Sequence, residues 1–161
     1  WRDWSSDVCS SDLASAYSAD DLSGKGAELT GGRWNAVGTP MVYVASSRAM
    51  AYLETVVHLD GSQALPLNRY LVNIEIPDDV WAAAIVFDAV KYVGWDALPA
   101  GKTSIDFGTA WAASMDSLLA LVPSVVIPEE MNFLMNPRHA DMAKVKATKI
   151  RRWTYDHRTR S

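Results

Sequence analysis

The chain has 161 residues, 49% hydrophobic and 21% charged, with a formal net charge of −4. That length suits one domain with a substantial buried core, and the composition is that of an ordinary globular protein. The negative charge argues against non-specific attraction to nucleic acid, no apolar run reaches membrane-spanning length, and no signal-peptide pattern opens the chain.

Asp3–Leu13 reads D-W-S-S-D-V-C-S-S-D-L and matches one reading frame of a common sequencing adapter along its whole length. Residues 1–13 are therefore set aside as non-native, and 14–161 is read as a single domain expected to lack its native first strand. The lone cysteine, Cys9, falls in the excluded stretch, so no disulfide, thiolate nucleophile or cysteine-bound metal is expected.

Ala14–Thr30 is polar, glycine-bearing and aperiodic, and reads as a loop leading into the Gly31-Gly32 turn. Met41–Ala45 is a short apolar run after Pro40 and predicts a buried strand. Ser46 or Ser47 can cap the helix that follows, with Met50, Leu53 and Val57 on its apolar face and Glu54 at the edge of that face. Tyr70–Ile76 alternates as a half-buried strand and stops at Pro77.

Asp78–Ala84 predicts a helical turn, Ile85–Phe87 a brief strand, and Gly94–Lys102 an irregular segment. Ser104 is the expected cap of a helix running through Ser114, with Phe107 and Trp111 on one side. Leu118–Val122 and Ser124–Ile127 read as strand material interrupted by Pro123. His139–Met142 reads as a turn or short helix, and Lys144–Tyr155 as a closing strand with a solvated basic face. Strands outnumber long helices without alternating regularly with them, which makes the fold class α+β.

Common chemical signatures are missing: there is no Walker-type phosphate loop, no G-x-G-x-x-G, no H-E-x-x-H and no G-x-S-x-G. His58, His139 and His157 have no ligand spacing, so no metal is expected. What remains is Gly31–Leu59, where Arg33, Tyr43 and Glu54 come from three consecutive elements. A cation, an aromatic face and a carboxylate can together grip a phosphate-bearing substrate and stabilise positive charge on it.

Each of these residues also has a plainer reading. Arg33 is either a salt-bridging arginine or a two-toothed pyrophosphate ligand. Tyr43 is a core aromatic or a stacking face. Glu54 is a helix carboxylate paired with Arg33, or one that stabilises an oxocarbenium-like transition state. Ser124 reads first as a turn or strand-edge residue, with no adjacent base to make it a nucleophile. Asn132 and Asn136 read first as loop residues that satisfy local backbone groups.

Taken together, G-G-R-W-N (Gly31–Asn35), V-Y-V-A (Val42–Ala45), L-E-T-V-V-H-L (Leu53–Leu59), P-S-V-V-I-P-E-E-M-N-F-L-M-N-P-R-H (Pro123–His139) and W-T-Y-D-H-R (Trp153–Arg158) resemble the RES domain family. The resemblance runs from Asp20 to Arg158. It implies an ADP-ribosyltransferase-like fold with mixed or antiparallel sheets, and a toxin of a bacterial toxin–antitoxin pair. Such toxins cleave the nicotinamide–ribose bond of NAD, with water or phosphate as acceptor, or transfer ADP-ribose to a protein.

Carried onto this chain, the resemblance implies catalytic Arg33, Tyr43, Glu54 and Ser124. Gly32, Trp34, Asn35 and Asn132 would join Arg33 and Tyr43 in holding substrate. Arg33 would hold the phosphates, Tyr43 would pack on nicotinamide or its ribose, Glu54 would stabilise the ribosyl cation, and Ser124 would position the ribose or support Glu54. No cofactor is implied beyond NAD as substrate and inorganic phosphate as an acceptor. The implied partner is a helix-turn-helix antitoxin in an oligomeric complex. A cytoplasmic location is expected, without direct nucleic-acid or membrane contact. The leading expectation is NAD glycohydrolase or phosphorylase action; the alternatives are a protein ADP-ribosyltransferase toxin and a catalytically inactive module that keeps only the antitoxin-binding surface.

Overall fold

The computed structural model describes residues 8–10, 21–58, 69–156 and 158, with the backbone alone at 8–10 and 58. The strands are β1 (Val8–Ser10), β2 (Val42–Ala45), β3 (Tyr70–Glu75), β4 (Ile85–Val86), β5 (Leu119–Pro123), β6 (Met131–Met135) and β7 (Lys146–Arg152). The helices are α1 (Lys25–Thr30), α2 (Arg48–His58), α3 (Asp78–Ala82) and α4 (Lys102–Ser114), with a 3-10 turn at Ala140–Lys144. The strands form one sheet in the order β4-β5-β6-β2-β1-β3-β7. Among the described strands only β4 and β5 run parallel, so the sheet is mixed and the class is α+β, as expected.

Strand alternation decides what each face buries. Val42 and Val44 join Val72, Ile74, Phe133 and Met135 on one face, closed by Val80 of α3. The opposite face is divided. Under α4, Trp34, Phe87, Trp95 and Trp111 form an aromatic cluster with Leu134 and Val122. Under α2, Met50 and Ala51 meet Ala45 and Leu71 in a smaller cluster.

The seam between these two clusters is crossed by β2, where Tyr43 packs on the aromatic side and Ala45 belongs to the α2 side. Asn132 of β6 pairs with Ala45 across the ladder. The abundance of tryptophan thus serves the core at these positions: Trp34 is 3% exposed, edge-on to Phe87 at 4.8 Å and stacked on Trp95 at 6.0 Å.

Several expectations need correcting. The described part of Ala14–Thr30 is not all loop: Lys25–Thr30 is helical. No residue of α1 is buried, so it leaves no apolar period to read; Ala14–Asp20 lies outside the described residues. Ser47 is the α2 cap, its Oγ accepting from the Met50 N–H at 3.1 Å. The apolar stripe of α2 ends early, because Val57 is 56% exposed and Ala51 takes the buried place beside Met50. Two helical turns beyond Met50, position 57 has passed the contact with the sheet.

In α4 the cap position is Gly101, and Ser104 is a buried interior residue donating to the Gly101 carbonyl at 3.3 Å. Ser124–Ile127 is a turn. The Ser124 Oγ accepts the N–H groups of Val126 and Ile127 at 3.0 and 3.2 Å, which offers the backbone an alternative to a ladder. Asn132, expected in a loop, lies on β6. β1 lies between β2 and β3 in the sheet. Ladder bonds use backbone groups alone, so they do not require a particular side-chain sequence.

Candidate active site

Three side chains from distant parts of the chain meet at the seam. Glu54 projects from α2, Ser124 follows the end of β5, and Asn132 sits on β6, where it pairs with Val122. The Ser124 Oγ–H donates to Glu54 Oε1 at 2.7 Å, and Asn132 Nδ2 donates to the same oxygen at 2.6 Å. Both are charge-assisted bonds to a carboxylate.

The direction of the serine bond is forced. A hydroxyl has one donor and two acceptor positions, and the Val126 and Ile127 N–H groups occupy the acceptor side. The single proton must therefore point at Glu54; with two N–H groups on its lone pairs and the residue 1% exposed, Ser124 is unsuited to act as a nucleophile. Asn132 is aimed in the same way. A carboxylate only accepts, so Nδ2 must face it, and Oδ1 is then a buried acceptor with no partner among the described residues. Such an orphan costs about 1–3 kcal/mol.

Arg33 lies on the G-G-R-W-N turn, which closes through Gly32 N–H to the Asn35 carbonyl at 2.9 Å. Its Nη1 donates to the carbonyls of Trp95 and Ala97 at 3.1 and 2.9 Å. The ion pair with Glu54 that the sequence suggested is not formed among the described residues; Glu54 acts through its field instead. Burial pushes the Arg33 pKa below its ordinary value, and the charges of Glu54, Asp96 and Tyr43 oppose that shift. The two carbonyl partners had no sequence signal, because a backbone acceptor looks the same at every residue.

The turn itself is pinned from below. Tyr43 donates its hydroxyl proton to Asn35 Oδ1 at 2.6 Å and accepts the Trp34 N–H at 3.0 Å. Asn35, 1% exposed, donates Nδ2 to the carbonyls of Ala27, Ala36 and Thr39. A Cβ on Gly32 would fall 2.6 Å from the Tyr43 hydroxyl oxygen, so only glycine lets the turn approach this closely.

Of the residues expected to touch substrate, Trp34 and Asn35 therefore have side chains in the scaffold beneath the turn. Asn136 does satisfy local groups, accepting from Arg138 N–H, and also donates to the Ala112 carbonyl. A broad cleft lined by Tyr92, Phe107, Trp111 and Asp116 contains none of the expected site residues. The His58 side chain and His157 lie outside the described residues.

Tyr43→Phe is expected to lower stability by about 2 kcal/mol, because Asn35 Oδ1 and the Trp34 N–H both lose their partner. A urea melt of the variant measures this directly. An unchanged midpoint would mean that the turn is held by other contacts.

Sheet order and the divided face define a small α+β domain built on one mixed sheet, with the Glu54 cluster at its seam. The RES domain family model matches residues 10–157, and the chain belongs to the RES domain family. A Sphingobium protein named Prs ADP-ribosylating toxin is 60% identical over 146 residues, covering 90% of each chain. A Yersinia enterocolitica protein named Toxin Res is 42% identical over 124 residues, 76% of this chain and 79% of its own. Among solved structures, the Mycobacterium tuberculosis MbcT–MbcA toxin–antitoxin complex contains a chain matching with a TM-score of 0.58 at 17% identity. The match covers 91% of this chain and 85% of that one, and the likeness is one of fold.

Proposed function

We propose that this chain is the toxin of a bacterial toxin–antitoxin pair and acts by breaking the nicotinamide–ribose bond of NAD. The observation that carries this reading is the convergence of Ser124 and Asn132 on Glu54, whose charge acts on the half-buried Arg33. The C1′–N bond breaks with its electron pair leaving on neutral nicotinamide, and positive charge develops on the ribosyl carbon. A fixed carboxylate is suited to that charge, because it needs no reorganisation as the charge forms.

Arg33 binds the pyrophosphate through the Nε–Nη2 edge, since Nη1 already serves the Trp95 and Ala97 carbonyls. The Tyr43 ring packs on nicotinamide or its ribose while its hydroxyl holds the turn. Ser124 supports Glu54, and the Gly32 turn admits the substrate. The acceptor then bonds to C1′ and loses its proton. No cofactor is needed beyond NAD.

The name of the 60% identical relative favours a protein acceptor, Prs in that case. The second reading is NAD glycohydrolase or phosphorylase action, which uses the same bond-breaking step with water or phosphate as acceptor. A helix-turn-helix antitoxin in an oligomeric complex is the proposed partner, and the cytoplasm, where NAD is abundant, the proposed location. A protein partner is consistent with the complex in which the fold relative was solved.

Incubation with labelled NAD, with and without phosphate and with a cell extract, tests this. Nicotinamide release is expected together with label on a protein. Free ADP-ribose would assign hydrolysis, and phosphorylated ADP-ribose phosphorolysis. No nicotinamide release with any acceptor would overturn the reading in favour of an inactive antitoxin-binding module.

A further inference from the structure

We infer that Asn132 is a positioning residue for Glu54 and makes no contact with the substrate. This rests on the proposed role of Glu54 but not on the identity of the acceptor. A glutamate side chain has several freely turning bonds, so holding it in one rotamer requires specific partners. Here the partners come from the sheet. Asn132 and the Ser124 corner belong to adjoining strands, joined by the Val122–Asn132 pairing, and both donate to one carboxylate oxygen. With two donors from the sheet on Oε1, the position of that oxygen is set by the sheet as well as by the helix that carries Glu54.

The orphaned Oδ1 shows that Asn132 serves Glu54 rather than packing. The neighbouring β6 side chains Phe133, Leu134 and Met135 are buried and apolar, and an apolar side chain at 132 would leave no acceptor unpaired. Nor does Oδ1 face a ligand, because the atom is enclosed. The amide is kept for its one donated bond. Ser124 shares that task but is itself aimed by two backbone N–H groups, whereas the Asn132 amide is aimed by the carboxylate it holds.

Asn132→Leu removes the donor and the orphan together. The expected result is a fall of at least about tenfold in kcat for nicotinamide release, KM for NAD within about twofold of the parent, and no loss of thermal stability. Asn132→Asp sets a carboxylate against Glu54. Its activity should recover as pH falls, because the protonated acid can donate where its anion repels; the leucine variant should show no such recovery.

A raised KM with unchanged kcat in Asn132→Leu would make Asn132 a substrate contact and overturn the inference, as would unchanged kinetics. If the parent releases no nicotinamide, the functional proposal fails first. The inference is then read from a crystal structure of Asn132→Leu, in which Glu54 should leave its present rotamer. A retained rotamer would overturn it independently of activity.

Discussion

Glu54→Gln is expected to reduce nicotinamide release by about 10³-fold, on the order of 4 kcal/mol of transition-state stabilisation, while leaving the fold intact. Glutamine keeps an oxygen that can accept from both Ser124 and Asn132, so the charge is removed and the hydrogen bonds remain. Glu54→Ala should be equally inactive but less stable, because it strands the two donors at about 1–3 kcal/mol each. Comparing the two by NAD turnover and urea melts separates the electrostatic role from the structural one. Either variant should also relieve growth inhibition when expressed. A folded Glu54→Gln protein with normal turnover would sink the role given to the carboxylate.

The second large effect is steric. Gly108→Ala should destabilise the protein by about 3 kcal/mol or more. Helix propensity alone predicts the opposite sign, since alanine is favoured over glycine in a helix interior by about 1 kcal/mol. The difference is the backbone of Trp34. A Cβ on Gly108 would overlap the Trp34 carbonyl oxygen and lie 2.8 Å from its carbonyl carbon, and a backbone cannot swing aside as a long side chain can.

Trp34 is the residue after Arg33, and the turn is tied to the same helix by the Ala36 N–H, which donates to Thr109 Oγ1 at 2.9 Å. Pushing the turn off α4 therefore moves the guanidinium as well. A higher KM for NAD should accompany the lower urea midpoint. A Gly108→Ala variant as stable as the parent would show that the turn can retreat without cost.

These two variants also mark what could be read from the sequence. β2, β3, α2 with its serine cap, and the Phe107/Trp111 side of α4 were legible because period and capping are properties of neighbouring residues. α1 was not, because it buries nothing, and Ser124–Ile127 was not, because its apolar composition hides a turn built by one hydroxyl. In the site, Arg33, Tyr43, Glu54 and Ser124 stood out through the family pattern, which also offered Ser124 as a support for Glu54, but Asn132 on the same oxygen and the carbonyls that hold Arg33 did not. Trp34 and Asn35 belong to the same motif, yet their side chains support the turn from inside.

The sequence by itself determined the class, several of the elements from β2 onward, and membership in a family whose motifs carry an arginine, a tyrosine, a glutamate and a serine. Only the tertiary structure decided how they are used. It set Ser124 and Asn132 on one oxygen of Glu54 across separations of 70 and 78 residues, and gave Arg33 two carbonyls 62 and 64 residues away in place of the expected carboxylate. Such pairings depend on which strands adjoin and how far a helix reaches over them. No local pattern encodes that, because a donor and its acceptor need share no feature of sequence until the chain has folded.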